Sequence, residues 1–360
     1  MIRRSFILII LLTSGTSLAA QESSQGSEAP LVQYEQGLDH AQQALEQKAK
    51  DNKCDFVAAG GEDLVDNLRS QTHTRLCNTA SWFDGLFGDE YPFDGEKFRG
   101  KVSLGFRQDE FDGFEPRLRI RIKTDLPNVS QRFSAFVGRV EEDSYISNTE
   151  VDGDRLNNVG LRSTNDDESE WLVGLGYRNP NKNSNGLDFS VGAKLSSGLA
   201  PYAKVAYRYL FKPSDLHYWH TTQTVFWRKQ EGYGVSSKLD YTHILGDRDI
   251  MEWDTNVKYT EDAEQWEWIS SATWHHEFTR TTGISSRVYV RGEEENPVSV
   301  PEYGITFTFV RPFLRDWLMV ETGIDFRWEK QDEYGEYDDA IRLGVQFEML
   351  LGDYYGRERK

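Results

Sequence analysis

From Phe98 to Leu351 apolar side chains recur at every second position, as in Val102, Leu104, Phe106, in Trp171, Val173, Leu175, Tyr177, and in Leu187, Phe189, Val191, Ala193, Leu195. Successive side chains of an extended chain point to opposite faces, so each such run reads as a strand with one apolar side. The pattern returns at Leu118–Ile122, Phe133–Val137, Ala203–Tyr209, Val235–Tyr241, Met251–Tyr259, Trp266–Trp274, Ile284–Val290, Ile305–Phe309, Leu318–Trp328 and Ile341–Met349, with a weaker run from Trp219 to Trp227. These are 14 candidate strands, and no helical spacing separates any two of them. The spacing predicts an all-β chain, antiparallel and up-and-down, of about 14 strands within a range of 12 to 16.

The residues between the apolar positions decide what the other face meets. Arg107, Arg117, Arg119, Arg121, Glu252, Asp254, Glu267, Arg287, Glu321, Asp325, Arg327, Arg342 and Glu348 all fall on the alternate phase. A soluble sandwich also alternates, but its strands average about five or six residues. Many runs here reach nine to twelve, the length a tilted strand needs to cross a bilayer. Tyr177, Tyr209, Trp219, Trp227, Tyr259, Trp266, Trp317 and Trp328 sit at strand ends, where membrane barrels carry aromatic girdles. The three longest connections, Glu141–Glu170, Arg291–Pro301 and Glu329–Asp339, are all odd-numbered. That is the asymmetry of a barrel with short periplasmic turns and long external loops. The charged face then lines a lumen.

Composition narrows the class further. The chain has 360 residues and a formal net charge of -18, which repels phosphate backbones and argues against nucleic-acid binding. Beyond residue 20 no apolar run approaches the about 20 residues of a membrane helix, yet 13% of the chain is aromatic, unlike acidic disordered proteins. Much of the charge lies on the odd connections: Glu141–Glu170 holds ten acidic and two basic residues. Such loops suit contact with lipopolysaccharide through divalent cations, or simple solvation. Asp152-Gly153-Asp154 lacks the rest of a calcium-loop spacing, and the sequence points to no metal site and no cofactor.

The N-terminal quarter is different. Arg3 and Arg4, the run Phe6–Leu12 and the small residues up to Ala20 have the order of a secretory signal peptide, giving residues 1–20 that role. Residues 21–96 read as a separate periplasmic or plug segment, helical in Leu38–Ala49 and again around Leu64, Val65 and Leu68. Its Cys54 and Cys77 are expected to form a disulfide, since an exported chain folds in an oxidising compartment. Residues 97–351 form the barrel and 352–360 a charged tail.

The last strand carries the most specific signature: Arg342, then Gly344, then Phe347 and Met349 on the alternate phase. It resembles the assembly signal of Gram-negative outer-membrane β-barrels, from which it departs in being followed by the tail. That resemblance, which covers about residues 98–351 and is to the architecture, implies residence in the outer membrane. The implied partners are outer-membrane lipid, lipopolysaccharide, the barrel-assembly machinery and a possible periplasmic partner of the N-terminal segment. A channel or transport-related pore for small polar solutes is the leading expectation. A sealed structural or surface-interaction barrel is the alternative, and a lipid-acting barrel enzyme is a third reading. No histidine is followed by the Ser-Asn-Gly of outer-membrane phospholipases, and His275 with Glu277 is the best acid–base pair, so no catalytic residue is assigned.

Overall fold

The computed structural model describes Cys54 and residues 64–85, 98–111, 113–125, 133–141, 145–147, 169–178, 185–195, 198–294, 298–330 and 335–352. The expected signal peptide, the run Leu38–Ala49 and the tail from residue 353 lie outside the described residues. One long helix, α1 (Leu64–Gly85), precedes the strands. The first seven strands are β1 (Arg99–Asp109), β2 (Gly113–Asp125), β3 (Phe133–Glu141), β4 (Ser169–Arg178), β5 (Gly186–Lys194), β6 (Ala200–Ser214) and β7 (His217–Arg228). The rest are β8 (Gly232–Ile244), β9 (Asp249–Thr260), β10 (Trp266–Thr279), β11 (Thr282–Glu293), β12 (Glu302–Phe313), β13 (Arg315–Glu329) and β14 (Asp338–Gly352).

Each strand pairs antiparallel with its neighbours in the chain, and β1 pairs with β14 from Arg99↔Gly352 to Asp109↔Arg342, closing a 14-stranded barrel. Closure leaves no strand edge, which is what makes a sheet compatible with a medium that offers backbone groups no hydrogen bonds. All fourteen sequence runs correspond to these strands in order.

The phase of the alternation is the same all round the ring. On β1 and β2 the opposed pairs Val102↔Ile120 and Leu104↔Leu118 share one face, while Lys101↔Arg121 and Arg107↔Glu115 share the other. The apolar face points outward and is left open: Val191 is 57% exposed, Val225 56% and Val288 51%. Water would not tolerate such a continuous apolar belt on a monomer; lipid does.

Outward aromatic side chains pair up at both ends of that belt. Tyr259 with Trp266 and Tyr303 with Trp328 mark the end of the long loops, with centroids 5.2 and 5.4 Å apart. Trp219 with Tyr241 and Phe133 with Tyr177 mark the opposite end, at 4.4 and 5.2 Å. Eight positions separate Trp266 from Trp274 on β10, roughly 27 Å along a strand and roughly 21 Å along the axis at a tilt near 40°. Trp317 does not belong to this girdle. It is buried beneath the Arg69 guanidinium of α1, whose Cζ lies 4.9 Å from the ring centroid.

Helix α1 docks where the chain enters and leaves the barrel. Cys54 and Cys77 are disulfide-bonded, with Cα atoms 5.5 Å apart, and pack with Ala80 against Phe98 and Leu351 in one buried cluster. Arg315, which opens β13, donates from Nη2 to Asp66 Oδ2 at 2.8 Å and from Nε to both carboxylate oxygens. The buried stripe Asp66, Arg69, His73, Cys77, Ala80 follows helical spacing. The helix runs on to Gly85. At the same end β14 continues to Gly352, one residue beyond the expected boundary.

Candidate functional site: the inner wall

Facing the lumen, several charged side chains are held along the wall by partners on neighbouring or nearby strands. Arg107 Nη2 contacts Glu115 Oε2 at 2.6 Å, which Arg117 Nη2 also reaches at 3.4 Å. Lys101 meets Glu348 at 2.9 Å, Arg208 meets Asp188 at 3.2 Å, and Lys258 meets Glu267 at 3.0 Å. Arg287 and Asp254, two strands apart, are separated by 3.8 Å. The register places all thirteen charged residues singled out in the sequence on this inward phase. Glu321 is buried there on β13, facing Val310 of β12 and Gln346 of β14.

Three of those residues are drawn into a single buried cluster at the long-loop end of the β1–β14 seam. Asp109 accepts from Arg342 Nε at 2.5 Å and from Arg327 Nη2 at 2.8 Å. Arg342 Nη1 lies 3.8 Å from Asp325, whose other oxygen accepts from Thr306 Oγ1 at 2.7 Å. The Tyr289 hydroxyl donates to Glu302 at 2.8 Å and lies 3.3 Å from Asp325. Arg327 also faces the Phe111 ring at 5.1 Å. Sequence reasoning missed Asp109, although it continues the inward series 103, 105, 107 of β1, because it stands at the turn.

Around the ring, basic charge is densest on β2, where Arg117, Arg119, Arg121 and Lys123 are successive inward residues. Seven strands away in a ring of fourteen, β9 presents Glu252 and Asp254 inward, with Glu267 beside them on β10. The acidic side is tempered: Glu252 lies 3.2 Å from His275 Nε2. His275 thus meets Glu252 on the adjacent strand, while Glu277, the partner suggested by spacing, is exposed at a bulge.

The wall is not charged throughout. Phe136, Val140, Leu172, Tyr202 and Phe226, all on the inward phase, form an apolar patch spanning β3, β4, β6 and β7. Onto it folds part of the β3–β4 connection: Ile146 is fully buried in the patch, and the Ser147 carbonyl accepts a hydrogen bond from Ser236 Oγ of β8 at 2.5 Å. This corrects the expectation that the whole Glu141–Glu170 segment lies outside. An apolar pair, Tyr145-Ile146, inside an acidic loop was the available signal: it has more to gain by covering apolar wall than by standing in water.

Among the described residues, no group of three or more His, Cys, Asp or Glu is placed to hold a metal ion. The remaining members of the terminal-strand signature divide by phase, Arg342 and Gly344 inward, Phe347 and Met349 outward.

No protein family and no curated protein matches the chain. Solved structures do. The chain is similar to the outer-membrane expressed OmpT of Vibrio cholerae at 10% identity, covering 70% of this chain and 96% of that one, with a TM-score of 0.44. It is similar to the outer membrane channel DcaP of Acinetobacter baumannii at 9% identity, over 71% and 96%, with a TM-score of 0.40. A KdgM porin is similar at 6% identity, over 69% and 98%, with a TM-score of 0.34. All three lie below 25% identity and a TM-score of 0.5, so the functional reading rests on this chain's own residues.

Proposed function

We propose that this protein is an outer-membrane channel for small polar solutes, in which the β2 basic row and the β9–β10 acids set up a transverse field. The observation that carries the reading is the two-faced wall: an apolar, exposed outer face and a charged inner face on which Lys101, Arg107, Arg208 and Lys258 each pair with an acid on the wall itself. Side chains tied to their own wall leave the axis to water more readily than pairs spanning the lumen. Barrels of 8 strands are filled by side chains and those of 16 to 18 hold aqueous channels, so a ring of 14 needs such an arrangement to conduct.

Planar bilayers containing the refolded full chain should show discrete, stepwise current. Charge-neutralising Arg117, Arg119 and Arg121 together to Gln should move the reversal potential in a salt gradient toward cation preference. A second reading, a sealed barrel that presents acidic loops, draws on the segment lodged against the inner wall. Absence of current in any salt would favour it and sink the channel.

A further inference from the structure

Three inward aromatic rings lie flat on the wall, over positions where the neighbouring strand or the next inward residue is glycine. A Cβ added at Gly138 would come within 2.8 Å of the Phe136 ring, and one at Gly192 within 2.6 Å of the Tyr202 ring. A Cβ at Gly234 would strike the ring of Phe226. Glycine at these places makes shallow recesses, and the rings that fill them give the lumen an aromatic floor.

Tyr145 rests on that floor. Its ring stacks on Phe136, with centroids 4.2 Å apart and planes at 17°, and meets Tyr202 edge-on at 6.4 Å. Lys204 Nζ stands 4.3 Å from the centre of the Tyr145 ring and donates to the carbonyl oxygen of the same residue. A planar ring between aromatic faces, a cation over it and an oxygen acceptor held by that cation together describe a ligand as much as a loop. The residues flanking the segment in sequence, Glu141 to Asp143 and Glu150 to Asp154, are largely acidic, which sets the apolar pair apart chemically.

We propose that this slot is a binding subsite for an aromatic carboxylate, and that Tyr145 occupies it as an internal competitor. The ring of the solute takes the place of the Tyr145 ring on Phe136 and Tyr202, and its carboxylate takes the place of the Tyr145 carbonyl at Lys204. The subsite deepens the channel reading, since it gives a lumen of mixed charge one preferred solute class. An internal occupant reduces apparent affinity in proportion to the time it holds the site.

The test uses the refolded full chain in detergent micelles, titrated calorimetrically with 4-hydroxyphenylacetate. Tyr145→Gly should bind the probe about tenfold more tightly than the unchanged protein. Adding Lys204→Met to that variant should weaken binding again by about tenfold, while the neutral amide of the probe, a weaker acceptor for the ammonium than a carboxylate, should lose clearly less. Equal affinity of Tyr145→Gly and the unchanged protein, or no binding by either, overturns the subsite. So does a Tyr145→Gly variant that conducts more in planar bilayers yet binds no probe, which would make the segment a constriction only. Probe binding with the expected variant pattern, but no current from any variant, supports the subsite and removes the channel.

Discussion

Asp109 is the residue on which the seam cluster turns. It is 1% exposed and faces two arginines, Arg327 and Arg342, that are 2% and 0% exposed. Removing one partner of a buried ion pair strands charge without compensation, at about 3–5 kcal/mol. Asp109→Asn should therefore lower the barrel's stability by an amount in that range, read from urea unfolding in micelles. Gly234→Ala probes the aromatic floor instead. Its methyl group collides with the Phe226 ring, and overpacking of this kind costs about 1–3 kcal/mol. The alternation alone marked Arg327, Arg342 and Asp325 as inward. It did not reveal Asp109 or Phe136, for different reasons: one stands at a turn, where phase is easily lost, and the other is an apolar residue on a phase read only for its charges.

At the scale of elements, the strands were legible because lipid on one side and a polar lumen on the other force strict alternation along each of them. Bulges were not: those at Phe211/Ser214, Glu277/Thr279 and Pro312/Phe313 all fall at the short-turn end and leave no clear mark on periodicity. The docking of α1 was equally hidden, because its stripe combines Asp66, Arg69 and His73 with Cys77 and Ala80 rather than large apolar side chains. That composition makes the helix responsive to acid. The hydrogen bond from Arg315, more than the charges of Arg315 and Arg69, holds the Asp66 carboxyl below its ordinary 3.8. Burial, with Arg69 nearby, holds the His73 imidazole below its ordinary 6.5, against a hydrogen bond to the Cys54 backbone. Both groups are lowered on folding, so each contributes stability above its ordinary value and loses it as pH falls through its lowered value. Amide exchange across residues 66–80, corrected for its intrinsic pH dependence, should rise below about pH 6.5 and again in the range where Asp66 protonates. Asp66→Asn should abolish the second step and leave the first.

For the molecule as a whole, the net charge of -18 is a property of its connections more than of its wall. On the inner face cations and acids are interleaved and several pair locally, while Glu141–Glu170 and Glu329–Asp339 are strongly acidic. Raising ionic strength should accordingly weaken any cation attraction at the loop end more than it alters the barrel's unfolding midpoint, since exposed charges are screened and buried pairs much less. The seam has a further consequence for how the barrel comes into being. Asp109 belongs to the first strand, and the arginines that neutralise it belong to the last two. At the opposite end Phe98, just ahead of the first strand, is covered jointly by α1 and by Leu351 of the last. A chain missing its last two strands thus carries an uncompensated carboxylate at one rim and a half-covered aromatic ring at the other. Incomplete barrels have no comfortable resting state, and insertion is driven toward the finished ring.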